Sequence, residues 1–249
     1  MPQNTLRVLT YNVHKGFNTG NRQFVLHQIR EALISADADL LFLQEMQGEH
    51  KYKAKNVANW PNLPQFEFIA EGGWPYFAYG KNAVYESGHH GNAILSKYPF
   101  QSWENINVSP FKWASRSLLH AVINFSDNKE LHIVCVHLGL FGLERRKQLN
   151  DLCDHIDQQV PPNSALIIAG DFNDWLERAE QHFLERLNLN EAYRMLHGKH
   201  ARTFPSWMPI LPMDRVYYRG LIPLSCERLT KTPWHLLSDH APLAVSFSP

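Results

Sequence analysis

The stretch LIIAGDFNDW (residues 166–175) runs from four apolar residues through Gly170 into Asp171, Asn173 and Asp174. Globular proteins bury short Val/Ile/Leu runs and keep carboxylates near water, so such a switch marks a β-strand leaving the core. Polar side chains at that point sit on a rigid element yet face a cleft, which is where sites are built. The same residues also read as a cap, with Asp171 heading a helix that begins near Trp175. By itself the stretch leaves both readings open.

Working outward, strand-like runs recur at LRVLTYNV (6–13), DLLFLQE (39–45), FEFIA (66–70), NAILS (92–96), SLLHAVINF (117–125), LHIVCVHL (131–138), ALIIAGD (165–171), DRVYYR (214–219) and APLAVSF (241–247). Helical periodicity appears over 22–36, through Val25, Ile29, Ala32, Leu33 and Ala36, and over 143–160, through Leu149, Leu152, Cys153, Ile156 and Val160. Pro-, Trp- and Gly-dense segments at 72–80, 109–116 and 203–214 read as shaped surface loops. A half-repeat follows. A strand ending in Asn12, a helix and a strand ending in Glu45 are echoed by a strand ending in His137, a helix and a strand ending in Asp171 and Asn173. If the two sheets pack face to face with helices outside, these four ends meet at one edge. Asp171 then emerges where another unit delivers its partner.

The chain has 249 residues, 44% hydrophobic and 19% charged, which suits a globular protein with a sizeable core and excludes a disordered one. No low-complexity tract or composition break interrupts it, so one domain over 1–249 is the expectation. Lys+Arg and Asp+Glu balance at 24 each, so a nucleic-acid partner would have to be attracted by a local patch. The three cysteines lack metal-like spacing, and Cys135 and Cys153 read as small core hydrophobes, which suits a reducing compartment. The N-terminus lacks a signal-peptide pattern and no apolar run reaches the ~18 residues of a membrane span. A cytoplasmic protein with no obligate protein partner is expected.

Glu45 closes an apolar strand. With Asn12, Asp171, Asn173 and Asp239 it makes an all-oxygen set without cysteine, which suits Mg²⁺, with Mn²⁺ as a substitute, and there is no HExxH pattern for zinc. In LLSDHAPLAV (236–245) Asp239 and His240 immediately precede the final strand, either as turn chemistry or as a positioned general base, with Asp214 as its orienting group. His137 is a second imidazole at a strand end, a place that serves structure as readily as catalysis.

The segments TYNVHKG, LFLQE, GNAILSKYP, VHLGL, AGDFND, MDRVYY and LSDHAPL stand in the order and approximate spacing of the endonuclease/exonuclease/phosphatase family, and the chain resembles that family over essentially its whole length. The resemblance implies a DNase I-like α/β fold, a four-layer α/β/β/α sandwich, with a Mg²⁺-dependent site that cuts phosphate esters. By matching position, Asn12 and Glu45 correspond to the metal-side pair, joined by Asp239. Asp171 and Asn173 correspond to the GDxN pair, Asp214 to the residue orienting the histidine, and His240 to the terminal histidine. Arg116 falls where members carry a phosphate-facing arginine. His137-Leu138-Gly139 resembles the DNase I and sphingomyelinase branches more than the abasic-site endonucleases. GHHGNAILS sets His89, His90 and Asn92 beside the expected cleft and, with TYNVHKG and TFPSWMP, looks like a bacterial branch with ill-defined substrates.

On that reading His240, oriented by Asp214, accepts a proton from the attacking water while Asp171 aligns it, or Asp171 is itself the base. Asn12, Asn173 and His137 donate to phosphoryl oxygens. Two substrate classes compete. A nucleic-acid backbone, slightly favoured, would use a patch of Lys15, Arg116, Arg145, Arg146 and Lys147, with Trp74, Tyr76 and Trp207 stacking bases. A phospholipid or other small phosphodiester would meet the apolar segment WMPILPM (207–213). A non-catalytic phosphate-binding scaffold would be expected to lose a metal carboxylate or the terminal histidine, and this chain keeps Glu45, Asp171 and His240.

Overall fold

Side-chain alternation sorts the strands into two sheets. The computed structural model describes residues 5–110, 115–125 and 129–248. Its elements are β1 (Leu6–Asn12), α1 (Leu26–Ala36), β2 (Leu40–His50), α2 (Lys51–Asn56), α3 (Gln65–Ala70), β3 (Tyr76–Tyr85), β4 (Gly88–Ser96), β5 (Phe100–Asn107), β6 (Ser117–Phe125) and β7 (Lys129–His137). They continue as α4 (Gly142–Gln159), β8 (Ala165–Asp171), α5 (Ala179–Leu187), β9 (Asn190–Glu191), α6 (Ala192–His197), β10 (Asp214–Arg219), β11 (Ile222–Arg228), α7 (Trp234–Leu237) and β12 (Leu243–Ser248).

One sheet has the order β11-β12-β1-β2-β4-β3 and the other β5-β6-β7-β8-β10-β9. The two expected strand–helix–strand units are β1-α1-β2 and β7-α4-β8, each a parallel pair with its helix as the crossover. Every other neighbour is antiparallel.

Alternate residues feed three apolar layers. Val8, Phe42, Ile94, Ile133, Ile167 and Val216 meet between the sheets. Leu9, Leu41 and Leu43 face the other way, onto Ile29 and Leu33 of α1 and Ile69 of α3. Val134, Val136 and Ile168 do the same against Leu152 and Ile156 of α4 and Phe183 of α5. Each fully buried Leu, Ile or Phe contributes about 1.5–3 kcal/mol, so the middle layer locks the sheets into a four-layer α/β/β/α sandwich. Cys135, Cys153 and Cys226 are free and buried.

Three expectations are corrected. FEFIA (66–70) is not a strand but lies in α3, because Phe66, Ile69 and Ala70 are buried at helical spacing after Pro64. The segment 72–80 is not a loop throughout, since Tyr76–Gly80 begins β3 and is held by hydrogen bonding to β4. Trp74 is no stacking platform. It is buried, and its Nε1–H donates to the carbonyl of Ala38 at 2.9 Å. Strands β5 and β11 escaped the sequence reading because they are largely exposed edge strands with weak apolar alternation.

Candidate active site

Asn12, His137, Asp171 and Asp214 each continue the inward-facing parity of their strands, so apolar alternation delivers four polar groups to the mouth of the inter-sheet layer. Asn12 joins the two sheets. Its Nδ2 donates to Asp171 Oδ2 at 3.1 Å and reaches Glu45 Oε1 at 3.5 Å. Gly170 lets the strand turn out here. Its φ is +150°, and an added Cβ would lie 2.0 Å from the Val136 carbonyl oxygen, so only glycine fits. The helix-cap reading of Asp171 gives way: its Oδ1 accepts the Asn173 backbone N–H at 3.0 Å, while Asp174 accepts that of Ala179 at the head of α5.

Glu45 needs a defect in its strand. Between Leu43 and Met46, β2 advances three residues while β4 advances two, from Ala93 to Gly91. This β-bulge puts Glu45 at φ 58° and turns its side chain out of alternation. Lys15, from the turn His14–Gly16, sets its Nζ 2.9 Å from Glu45 Oε2. Burial alone would raise the Glu45 carboxyl, but the His137 and Lys15 charges outweigh it and hold the group below the usual carboxylate range.

Across the cluster, Asp214 and Asp171 are register partners on β10 and β8. His240 lies between them, Nδ1 at 2.8 Å from Asp214 Oδ2 and Nε2 at 3.8 Å from Asp171 Oδ2, with its ring against Phe204. Burial opposes the charged ring, yet the Asp214 and Asp171 charges push His240 up to about 10. His137 Nε2 stands 3.6 Å from the same Asp171 oxygen, but burial and the Arg116 charge bring it down to about 4. The Asp171 carboxyl is raised by burial. Two histidines around one carboxylate thus hold opposite charge states near neutral pH.

Of the other expected residues, Asn173 is buried in the cluster, with Nδ2 donating to the Leu138 carbonyl at 2.9 Å. Asp239 lies at its edge, 3.5 Å from His14 Nδ1. Asn92 sits beside the bulge, donating to the Ser117 carbonyl at 3.3 Å, and its buried Oδ1 has no hydrogen-bond partner among the described residues. Arg116 is close enough for its charge to depress both His137 and His90.

Tyr76 is a correction. It pairs with Ser96, which pairs with Leu40 at the start of β2, whereas Gly80 pairs with Asn92. Four residues of strand, about 13 Å, separate it from the site edge. The basic patch also disperses. Arg145 is buried, donating to the Gly139 and Leu140 carbonyls and lying 3.6 Å from Asp174, and Lys147 pairs with Asp151 on the same helix. Sequence reading missed Thr203, whose Oγ1 accepts the backbone N–H of Met213 and of Asp214. It also missed Ser238, whose hydroxyl donates to the Asn12 carbonyl at 2.7 Å. Neither carries a sequence signal beyond its place near a motif.

The profile of the Endonuclease/Exonuclease/phosphatase family matches residues 9–240, from within β1 to His240. The chain belongs to this family. Members are phosphoesterase hydrolases that generally use a divalent metal, and in this one Asp171, Asp214 and His240 present donor atoms within 4.8 Å of one another. The chain is 40% identical to the uncharacterised protein YbhP of Escherichia coli K12, over 98% of its own length and 96% of that protein's. Among solved structures it is similar to D. rerio TDP2 complexed with a single-strand DNA product (TM-score 0.70, 21% identity, 99% of this chain and 100% of that one). It is also similar to a mannosyl-6-phosphatase of Bacteroides thetaiotaomicron (TM-score 0.74, 18% identity, 98% of this chain and 100% of that one). At these identities the structural neighbours establish the family member's fold.

Proposed function

We propose that the chain is a Mg²⁺-dependent phosphodiesterase, Mn²⁺ substituting, that hydrolyses its ester by direct attack of water. The supporting observation is the Asn12 amide, which links Glu45 to Asp171 and so sets the metal-side carboxylate and the His240 imidazole on two flanks of one buried cluster. The donor set fits a hard cation. Glu45 is a partly exposed carboxylate that already accepts a cation, the Lys15 ammonium, and Asn12 and Asp239 add oxygens nearby. A metal held there would supply positive charge for the phosphoryl and leaving oxygens.

The chain's own residues do the rest. Asp171 Oδ2 takes the proton of the attacking water as the new P–O bond forms and the bond to the leaving oxygen breaks. Its burial, which raises the carboxyl, makes it the better base. His240 is already protonated near neutral pH, so its role is an imidazolium donor that neutralises phosphoryl charge while Asp214 fixes its ring. His137, uncharged, donates a hydrogen bond to the phosphoryl group. Asn173, its amide engaged with Leu138, positions Asp171 through the backbone N–H that Asp171 accepts. Arg116 holds the ester.

For substrate, the rim favours an amphipathic phosphodiester such as a phospholipid. Leu140 and Phe141 after β7, Leu143 in the first turn of α4, Trp175 and Leu176 after β8, and Trp207, Met208 and Ile210 before β10 are all exposed, on segments that adjoin the site ends of their strands. Apolar side chains grouped this way mark an interaction surface. A nucleic-acid backbone is the second reading, supported by exposed Trp207 as a stacking face on the loop before β10.

Hydrolysis of bis(p-nitrophenyl) phosphate by wild type, Glu45→Gln, Asp171→Asn and His240→Asn tests the assignment. Each variant is expected to lose about 100-fold or more in kcat, and EDTA to abolish turnover. Rates within a few-fold of wild type in folded Asp171→Asn and Glu45→Gln would overturn it. Plasmid and phosphatidylcholine vesicles compared over a salt series separate the two substrate classes.

A further inference from the structure

On the outer face of the second sheet, beneath α4, three histidines and a glutamate converge away from the catalytic cleft. His120 Nδ1 lies 2.9 Å from His155 Nε2, and Glu104 Oε1 lies 3.8 Å from the first and 3.6 Å from the second. His120 Nε2 lies 3.0 Å from His132 Nδ1. His120 and His132 are buried, and the group opens into a cavity of about 310 Å³ with Glu130 and Gln159 on its wall. His132 precedes His137 by five residues and projects from the opposite face of β7, so the cluster stands about 16 Å along the strand from the catalytic histidine.

As a hydrogen-bonded chain the cluster is poorly satisfied. Two ring–ring contacts use one proton each, and the Glu104 carboxylate, at 3.8 and 3.6 Å, stands too far off to accept a hydrogen bond from either His120 or His155. As a ligand set it makes sense. Donors held about 2.1 Å from a tetrahedral ion stand about 3.4 Å apart, and the three separations of the Glu104–His120–His155 tripod scatter around that value. Carboxylate plus imidazoles suit Zn²⁺ and its first-row neighbours rather than Mg²⁺. His120, ligating through Nδ1, would then donate its Nε2–H to His132 Nδ1, the outer hydrogen bond that a ligating histidine needs. Burial keeps all three rings neutral, the form that ligates: His120 is pulled down to about 3, and His132 and His155 are lowered as well.

We propose that Glu104, His120 and His155 form a second, peripheral site for Zn²⁺ or a similar divalent transition ion, supported by His132 and with one coordination position open to the cavity. The ion would tie edge strand β5 to β6 and α4.

The test titrates EDTA-stripped, full-length protein with Co²⁺ and Zn²⁺, following visible absorption, bound stoichiometry and thermal midpoint. Wild type and Glu45→Gln should both bind a Zn²⁺ that raises the midpoint, and Co²⁺ should give the intense visible bands of four-coordination. His155→Asn should weaken that ion about 100-fold and erase the bands, and His132→Gln about 10-fold. Glu104→Gln, at an exposed position, should also weaken binding and carries the test if His155→Asn fails to fold. Failure of wild type to bind Zn²⁺, or binding unchanged in both Glu104→Gln and His155→Asn, would overturn the proposal.

Discussion

His240 and Gly170 illustrate how single residues are committed by their surroundings. His240 is held between two carboxylates, and the sign of its linkage to folding follows. Its folded pKa, about 10, lies above the unfolded value near ~6.5, so its stabilising contribution is complete below the latter and lost as pH rises through the former. In EDTA, the denaturation midpoint of wild type should therefore fall between about pH 7 and pH 10, and the fall should flatten in His240→Asn; an equal fall in both would remove His240 as its source. Gly170 is committed by space. Gly170→Ala would press a methyl onto the Val136 carbonyl at an unfavourable φ, and we expect a loss of about 3 kcal/mol in urea unfolding. A loss below about 1 kcal/mol would mean the strand end relaxes freely.

At the scale of elements, irregular pieces aim the site. The bulge in β2 turns Glu45 toward Asn12, and the loop from Thr203 to Met213 sets Asp214 at the start of β10. Both backbone N–H groups at the end of that loop converge on one hydroxyl, Thr203 Oγ1. Thr203→Val keeps the shape and removes the acceptor, leaving two buried donors unpaired. It should lower stability by about 1–3 kcal/mol, measured by urea unfolding, and reduce kcat more than it raises KM, because Asp214 loosens its hold on His240. Strand identities were mostly legible: 117–125, 165–171 and 214–219 have the bounds that their apolar alternation gives. The bulge was not, because LLFLQEM carries no glycine or other sign of an extra residue.

For the whole molecule, the two strand–helix–strand units bring their ends together only because the sheets stack on a shared apolar layer. The same packing gathers the loops after β7 and β8 and before β10 into one apolar rim. Leu143→Glu and Trp207→Glu should each raise KM on phosphatidylcholine vesicles about 10-fold and leave bis(p-nitrophenyl) phosphate turnover unchanged. Equal effects on both substrates would place these residues in folding or catalysis instead.

The sequence by itself determined the family, the strand–helix–strand repeat and the polar residues at strand ends, since period-2 alternation and motif order are local properties. Only the tertiary structure decided which of the residues flanking the motifs lie at the site. Tyr76 and Trp74 are near the motifs in sequence and at the far end of the sheet in space, because antiparallel pairing of β3 with β4 runs them away from Asn92. It also decided charge. His137 and His240 share Asp171 yet are driven in opposite directions, one by burial and a nearby arginine, the other by two carboxylates carried on β8 and β10. Such shifts depend on distances across sheets, and no sequence spacing encodes them.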